Sequence, residues 1–357
     1  MNLSFPETDP TPIFDHFRSL HATEFLTAAV AHLGVFRQLS AGPLTATELR
    51  RRLSLQERPY VVLMTALRAM GMVRADEAGL LGLTPMAREH LVPGGAFDVS
   101  GYLSLGANNP SVLAMVERLR ANRPSGANTH TAGDPGTTHT FRDGIPSALD
   151  AETSARDSTL CLAGRARNVA PYLGARVRIP EARVLLDVGG GSGIYAYALL
   201  RTHPELRAII LDRPEVLKVA EECAEEWQVR GRVSFHPANL LEDDYPAADA
   251  VLFSNVLHDW DVPDCRRLVE RGAGCLPKGG SLLIHDVFLN DAMDGPLPVA
   301  LYSGLLFALS EGRAYSGAEY CDWLRGAGLS PQAILPTLVH CGVLIGRKDG
   351  SLLREPV

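Results

Sequence analysis

The stretch Leu186-Asp187-Val188-Gly189-Gly190-Gly191-Ser192-Gly193 lies between an apolar run, VLLDV, and a helix-forming run, YAYALLRTHP. Glycines at such a junction let the backbone turn tightly and let a ligand approach the main chain. The helix that follows offers unpaired N–H groups at its start. Twenty-five residues after Asp187 a second acid, Asp212, closes the next apolar run, AIILD. Downstream, the helical stretch PEVLKVAEECAEEW leads to the strand VSFHPAN. A second strand, ADAVLFSNV, is followed by the helical CRRLVERGAGCL and the strand SLLIHDVFL. GAEYCDWLRGAGL then reads as a helix, and VLIGRK as a closing strand. This alternation predicts an α/β architecture over 181–357, a doubly wound, mostly parallel, Rossmann-like sheet with helices on both faces.

Upstream, 1–100 reads as mostly helical. HATEFLTAAVAHLGVFRQL has apolar residues at helical spacing, Thr45 to Glu48 forms a capping box before TELRRRL, and ERPYVVLMTALRAMGMV gives an apolar-striped helix ending near Gly71. VRADEAGLLGLTP reads as a hairpin around Glu77-Ala78-Gly79. Two short helices and a hairpin are the pattern of a winged helix. The Arg50-Arg51-Arg52 run is brief, so a packing or dimerisation module is favoured over a DNA-binding one. Apolar surface on the Ala-rich helix and on VVLMTALRAM predicts a homodimer built from this region. The region 101–180 reads as a connection: ANRPSGANTHTAGDPGTTHT as a long loop, and SALDAETSARDSTLCLAGRARNVAPYL as a long helix. His130 and His139 lie in that loop without companions at metal-ligand spacing.

Bulk composition narrows the function. The 357 residues carry a formal net charge of −7, which argues against a nucleic-acid partner. Apolar residues make up 46%, enough for a sizeable core, but no run approaches the ~20 residues that span a bilayer. The start, MNLSFPETDPTPIFDHF, has no signal-peptide pattern. Cys161, Cys223, Cys265, Cys275, Cys321 and Cys341 are scattered, which predicts reduced thiols, no metal site and a cytoplasmic setting.

The chemistry follows from the two ends of the strands. G-G-G-S-G departs from the phosphate-cradling G-x-G-x-x-G. Asp187 would repel a pyrophosphate but suits the ammonium of a methionine moiety. Asp212 is placed to accept hydrogen bonds from both hydroxyls of a ribose. S-adenosylmethionine is therefore the expected cofactor, rather than a nicotinamide dinucleotide. Ser254-Asn255-Val256-Leu257-His258-Asp259-Trp260 follows another strand at the ligand-facing end, where His258 suits a general base. Asp261 is placed to cap the next helix. Side chains alternate along SLLIHDVFL, so only one of His285 and Asp286 faces the crevice; Asp286 is the candidate, and His285 reads as a packed or capping histidine. His236 and His340 sit at strand ends with no further signal. Tyr302, Phe307 and Tyr315 are placed either to stack on a flat acceptor or to pack in a core. Asn108 and Asn109 either touch the acceptor or form a turn before Pro110.

DVGGGSG, LDRPEV, LHDWDVPDC, LPKGGSLLIHD and EGRAYSGAEYCDWLRGAGL occur in the order and spacing of a known family. On these motifs the chain resembles the class I S-adenosylmethionine-dependent O-methyltransferases of the plant caffeate type and their bacterial relatives in secondary metabolism. The resemblance implies methyl transfer to a small-molecule acceptor, most naturally a hydroxyl. It also implies an N-terminal dimerisation domain that closes the acceptor pocket. Residue by residue it implies that Gly189, Gly191 and Gly193 line the methionine and ribose. Asp212 would hold the ribose hydroxyls, with Arg213, Asn239 and Leu240 near the adenine and Ser254 at the cofactor's edge. It implies His258 as catalytic base, flanked by Asp286. A second carboxylate of the plant enzymes is replaced here by Ala314; Glu311, three residues earlier, is the candidate substitute. That departure keeps open N- or C-methyl transfer, and a hydroxylase or cyclase using the same pocket. A ligand-regulated DNA-binding protein is the competing class.

Overall fold

The computed structural model describes residues 3–123 and 152–349; His130 and His139 lie outside the described residues. The chain forms two compact units. One takes in described residues from 13–141 and 289–316, the other those from 1–12, 142–288 and 317–357. The sequence boundaries expected at 100 and 180 differ from this division. The stretch 289–316 groups with the helical unit although it lies far downstream of it in sequence.

In the helical unit, Thr45 Oγ1 accepts the Glu48 N–H at 3.1 Å and opens the helix Ala46–Leu53. The Glu48 carboxylate takes the guanidiniums of Arg51 and Arg52, at 2.9 and 2.7 Å. The helix Glu57–Ala69 follows, then the antiparallel pair β1 (Val73–Ala75) and β2 (Leu81–Leu83). The turn between these strands is held by Asp76, which accepts the N–H groups of Ala78 and Leu80, both at 2.9 Å. The VVLMTAL stripe is not on the surface as the dimer expectation assumed. Val62, Leu63, Ala66 and Leu67 are fully buried in this unit's own core, with Phe25, Ala28 and Ala29 of the Ala-rich segment. The exposed apolar residues are others, among them Ile13, Phe17 and Leu20, at i, i+4 and i+7, and Tyr102 and Leu105.

The helix Leu297–Leu309 completes this unit and had no counterpart in the sequence analysis. LPVALYSGLLFAL is apolar on nearly every side, so it carries no 3.6-residue alternation to read. It packs on Glu57–Ala69 and on the turn Ser19–His21. Gly304 permits that approach: a Cβ there would lie 2.5 Å from Phe25 Cε2.

In the other unit, β3 (Val184–Val188), β4 (Arg207–Asp212), β5 (Val233–Pro237), β6 (Ala250–Ser254) and β7 (Ser281–Leu289) form a parallel sheet in the order β7-β6-β3-β4-β5. The strand Cys341–Lys348 adds antiparallel to β7. The short strands Leu329–Pro331 and Leu335–Pro336, which the sequence analysis lacked, pair with Cys341–Lys348. Strand order reverses around β3, and in open α/β sheets ligands bind outside the carboxyl ends of strands at that reversal. Asp187, Asp212 and Ser254 lie at the carboxyl ends of β3, β4 and β6.

Candidate functional site

The glycine turn after β3 is pinned from beneath. The N–H groups of Gly189 and Gly190 both donate to the Leu211 carbonyl, at 2.8 and 3.3 Å. Gly189, Gly191 and Gly193 have φ of +64°, +56° and +73°, where a side chain is strained. Space adds to this at two of them. A Cβ on Gly189 would lie 3.0 Å from Val256 Cγ2, and one on Gly193 2.2 Å from the Tyr197 hydroxyl. That hydroxyl is fixed by donating to the Ala220 carbonyl at 2.8 Å. The Asp212 carboxylate accepts the Gly191 N–H and the Arg213 N–H, each at 2.8 Å, so the two acid-bearing strand ends are tied through the turn.

Asp187 is buried, and neither of its carboxylate oxygens has a hydrogen-bond partner. Burial, with the charge of Asp212 nearby, pushes its pKa up to about 8. Burial also raises Asp212, against the lowering effect of its two backbone donors and Arg213. An unmet buried carboxyl is costly, and a cation set against it removes that cost. The residues thus fit S-adenosylmethionine: an unmet carboxyl for the ammonium, a side-chain-free turn, and an acid at the next strand end.

Around this centre, Arg213 precedes the helix Pro214–Glu226 and is half-buried. Asn239 is exposed after β5, and its side-chain oxygen accepts the Leu241 N–H at 3.0 Å. That bond takes up part of the acceptor capacity expected to meet an adenine. Leu240 lies near Gly189, with Cδ2 3.8 Å from where a Cβ would sit. Ser254 Oγ bonds His285 Nδ1 at 2.9 Å and accepts from Asn255 Nδ2 at 3.2 Å.

His258 lies in the turn Leu257–Asp259 after β6 and is 4% exposed. Its Nδ1 is 2.6 Å from Asp286 Oδ1. Asp286 Oδ1 also accepts the Val287 N–H at 2.8 Å, and Oδ2 accepts the Tyr320 hydroxyl at 3.0 Å. Asp259 Oδ1 stands 3.9 Å from His258 Nε2. Burial disfavours the imidazolium, but the carboxylates of Asp286 and Asp259 outweigh it, so the pKa of His258 is raised above 6.5. Asp261 Oδ1 accepts the Asp264 N–H at 3.3 Å and opens the helix Val262–Cys275. His285 is fully buried between Ser254 and Thr337, bonding the latter's hydroxyl at 3.1 Å; burial, reinforced by Arg165, pushes its pKa down to about 3.

Three contributors escaped the sequence analysis. Tyr320 orients Asp286 from the helix Gly317–Gly326. Arg165, on the helix Glu152–Arg176, donates to Asn255 Oδ1 at 2.7 Å and holds that residue at φ +56°. Asp259 supplies a second carboxylate to His258. Tyr320 and Arg165 meet partners 34 and 90 residues away, so no local spacing marks them; Asp259 was quoted in the motif but given no role.

The expected acceptor-side residues lie in the helical unit. Tyr302 is half-buried beneath the Arg18 guanidinium, 4.5 Å from its ring centroid. Phe307 is a core residue of the unit, fully buried, with the Arg58 guanidinium 4.7 Å from its ring. Tyr315 is 1% exposed, its ring 4.3 Å from the Arg313 guanidinium. For both, packing accounts for the position. Asn108 is exposed; Glu311 is half-buried just past the helix Leu297–Leu309, and Ala314 is buried. Among the described residues no group of three or more His, Cys, Asp or Glu is placed to hold a metal, and no helix is long and apolar enough to cross a membrane.

The sheet order, the glycine turn with its unmet acid and the acid at the next strand end are those of the S-adenosylmethionine-dependent methyltransferases. Residues 172–330 match the family model described as an O-methyltransferase domain. A 3-hydroxy-5-methyl-1-naphthoate 3-O-methyltransferase of Streptomyces sahachiroi is 35% identical over 90% of this chain and 90% of its own length. An N,N-dimethyltransferase of Streptomyces rimosus is 29% identical over 76% of each chain. The crystal structure of an O-methyltransferase family 2 protein from Planctomyces limnophilus, in complex with apigenin, superposes with a TM-score of 0.87 at 48% identity, covering 97% of this chain and 98% of its own. The chain belongs to the O-methyltransferase family. It is an S-adenosylmethionine-dependent enzyme that transfers a methyl group to a small molecule.

Proposed function

We propose that the acceptor is a hydroxylated aromatic molecule of secondary metabolism, methylated on oxygen with His258 as general base. The observation that carries this is the His258–Asp286 pair. A carboxylate 2.6 Å from Nδ1 keeps the proton on that nitrogen and leaves Nε2 to take one from the acceptor. The Tyr320 and Val287 donors hold the carboxylate itself in place. Bound S-adenosylmethionine supplies an electrophilic methyl on a sulfonium. Asp187 binds its ammonium, Asp212 its ribose hydroxyls, and Gly189, Gly191 and Gly193 leave room for both. Arg213, Asn239 and Leu240 are assigned to the adenine side, and Ser254 to holding His285. The hydroxynaphthoate in the name of one relative and the apigenin bound in the structure of another support an aromatic hydroxyl.

Acceptor recognition is assigned to the helical unit, with Tyr302 as its stacking surface and Asn108 at its rim; Phe307 and Tyr315 are assigned to packing. Glu311 is assigned a supporting carboxylate role, though Asp259 answers the need created by Ala314 more directly. A homodimer through Ile13, Phe17 and Leu20 is supported by their apolar exposure, at 71%, 61% and 61%. The cell interior is the proposed setting. Methyl transfer to nitrogen is the second reading, favoured by the N,N-dimethyltransferase relative. A nucleic-acid role is disfavoured, because Arg50, Arg51 and Arg52 are each paired with a glutamate.

The test is turnover of hydroxylated aromatics by the His258→Ala variant. A loss of ~10²–10⁴ in kcat is expected, with cofactor affinity preserved. The wild-type rate should rise with pH around a midpoint above 6.5, because only the neutral ring accepts a proton and its carboxylate neighbours hold that pKa up. Turnover that survives the substitution with a flat pH profile overturns the base assignment and favours an amine acceptor.

A further inference from the structure

We propose that Tyr320 is a positioning residue that sets the strength of the base: its hydroxyl, donated to Asp286, limits the pull of that carboxylate on the imidazolium of His258; this rests on the assignment of His258 as general base. All three residues lie in the unit that holds the sheet. Tyr320 is on the helix Gly317–Gly326 and is fully buried. Its ring packs edge-on against Phe288 and Trp323, with centroids 5.3 and 5.1 Å away. A phenylalanine would meet both rings equally well, so packing accounts for the ring and leaves the hydroxyl to be explained. That hydroxyl donates to Asp286 Oδ2 at 3.0 Å. The other carboxylate oxygen, Oδ1, faces His258 Nδ1 at 2.6 Å and accepts the Val287 N–H at 2.8 Å. Oδ1 thus has its own two partners, and the Tyr320 bond adds a second effect to orientation: it draws charge from the carboxylate.

Charge drawn toward Tyr320 is charge not offered to the Nδ1 proton. A hydrogen bond to an ionised carboxylate stabilises it and lowers its basicity. The imidazolium is then held less tightly, and His258 is a weaker base than the pair would be without the hydroxyl. Turnover needs this in both directions. As the acceptor oxygen takes the methyl group and the carbon–sulfur bond breaks toward sulfur, the hydroxyl proton passes to His258 Nε2. It must leave to water before the next cycle, and an imidazole that binds it too tightly stays occupied at neutral pH. Three other charged or titratable groups face the pair. Asp259 Oδ1 stands 3.9 Å from Nε2. Arg165, from the helix Glu152–Arg176, opposes protonation of both His258 and Asp286. His285, next to Asp286 on β7, is held neutral by burial, its pKa pushed down to about 3. These groups are common to the wild type and to Tyr320→Phe, so the difference between the two proteins isolates the hydroxyl.

The experiment titrates His258 directly, in the full chain labelled with 15N-histidine and without added ligands. His258→Gln identifies its ring signals among the eleven histidines. In Tyr320→Phe the His258 midpoint should rise by about half to one pH unit. A 3-fluorotyrosine placed at position 320, a stronger donor of nearly the same shape, should lower it. Turnover of 3-hydroxy-5-methyl-1-naphthoate and of apigenin is followed in parallel. At pH 6 the Tyr320→Phe rate should fall about three- to tenfold, and the deficit should close as pH approaches about 9. An unmoved or lowered midpoint in Tyr320→Phe overturns the inference and leaves Tyr320 as a packing and orienting residue. A raised midpoint with a pH-independent rate removes His258 as base and keeps the relation of Tyr320 to the pair. A raised midpoint with turnover lost in His258→Ala supports both. The titration needs no acceptor, so it decides the role of Tyr320 even where neither compound is methylated.

Discussion

If Asp187 meets the cofactor's ammonium, cofactor binding should release a proton near neutral pH. In the free enzyme its buried carboxyl has a pKa of about 8. At pH 6.5 such a group is protonated in about 97% of molecules, and the α-amino group of the ligand, with a pKa of about 7.7–8.0, is charged in about 95%. If binding sets the ammonium against the ionised carboxylate, about 0.9 proton must leave per cofactor bound at pH 6.5. At pH 9 the carboxyl is already about 90% ionised while the free amine is mostly neutral, so binding should instead take up about 0.8 proton. Calorimetric titration in buffers of different ionisation enthalpy measures both numbers. Asp187→Asn, which cannot ionise, should bind more weakly and lose the release at pH 6.5. A release below about 0.3 proton at pH 6.5, or an equal release in Asp187→Asn, would refute the ammonium–carboxylate pairing. The same shift acts on stability. A carboxyl whose folded pKa is raised gives stability that is whole below about pH 4 and is lost as pH rises through 8, at no more than about 1.4 kcal/mol per pH unit. At pH 8 the ligand-free Asp187→Asn protein should therefore be the more stable one, by on the order of a few kcal/mol.

His285 should behave in the opposite sense. Its folded pKa of about 3 gives stability that is present above about 6.5 and lost as pH falls through that window, so His285→Gln should flatten the acid limb of a denaturation profile. Gly193→Ala forces a Cβ to within 2.2 Å of the Tyr197 hydroxyl at φ +73°; urea titration should show a loss of about 2–4 kcal/mol, from backbone strain and the broken Tyr197 hydrogen bond. Phe17→Glu with Leu20→Glu should convert a dimer of about twice 38.5 kDa into monomer by light scattering, and a wild type that is already monomeric at micromolar concentration removes the dimer.

The readable parts of this molecule are those whose physics is local. The turn at Gly189–Gly193, the acids at Asp187 and Asp212, the caps at Thr45 and Asp261 and the histidine after β6, His258, announce themselves within a few residues of chain. The helix Leu297–Leu309 does not: a segment buried on all sides has no polar face to set its period. The stripe at Val61–Leu67 was visible as a stripe, but sequence cannot say whether such a face meets its own domain or another molecule. Tyr320 and Arg165 depend on which distant element supplies a neighbour, and only the folded chain states that.

The allocation of 289–316 to the helical unit has a practical side for anyone recombining such enzymes. The N-terminal hundred residues are not a detachable module, because Leu301 and Phe307 belong to their core. A chimera that grafts a foreign N-terminal region and keeps the native 289–316 would pair two halves of a core shaped by different histories, with Gly304, fitted here to Phe25, facing a foreign side chain. The helical unit is inherited as two distant gene segments, and a crossover that moves one should be made to carry the other.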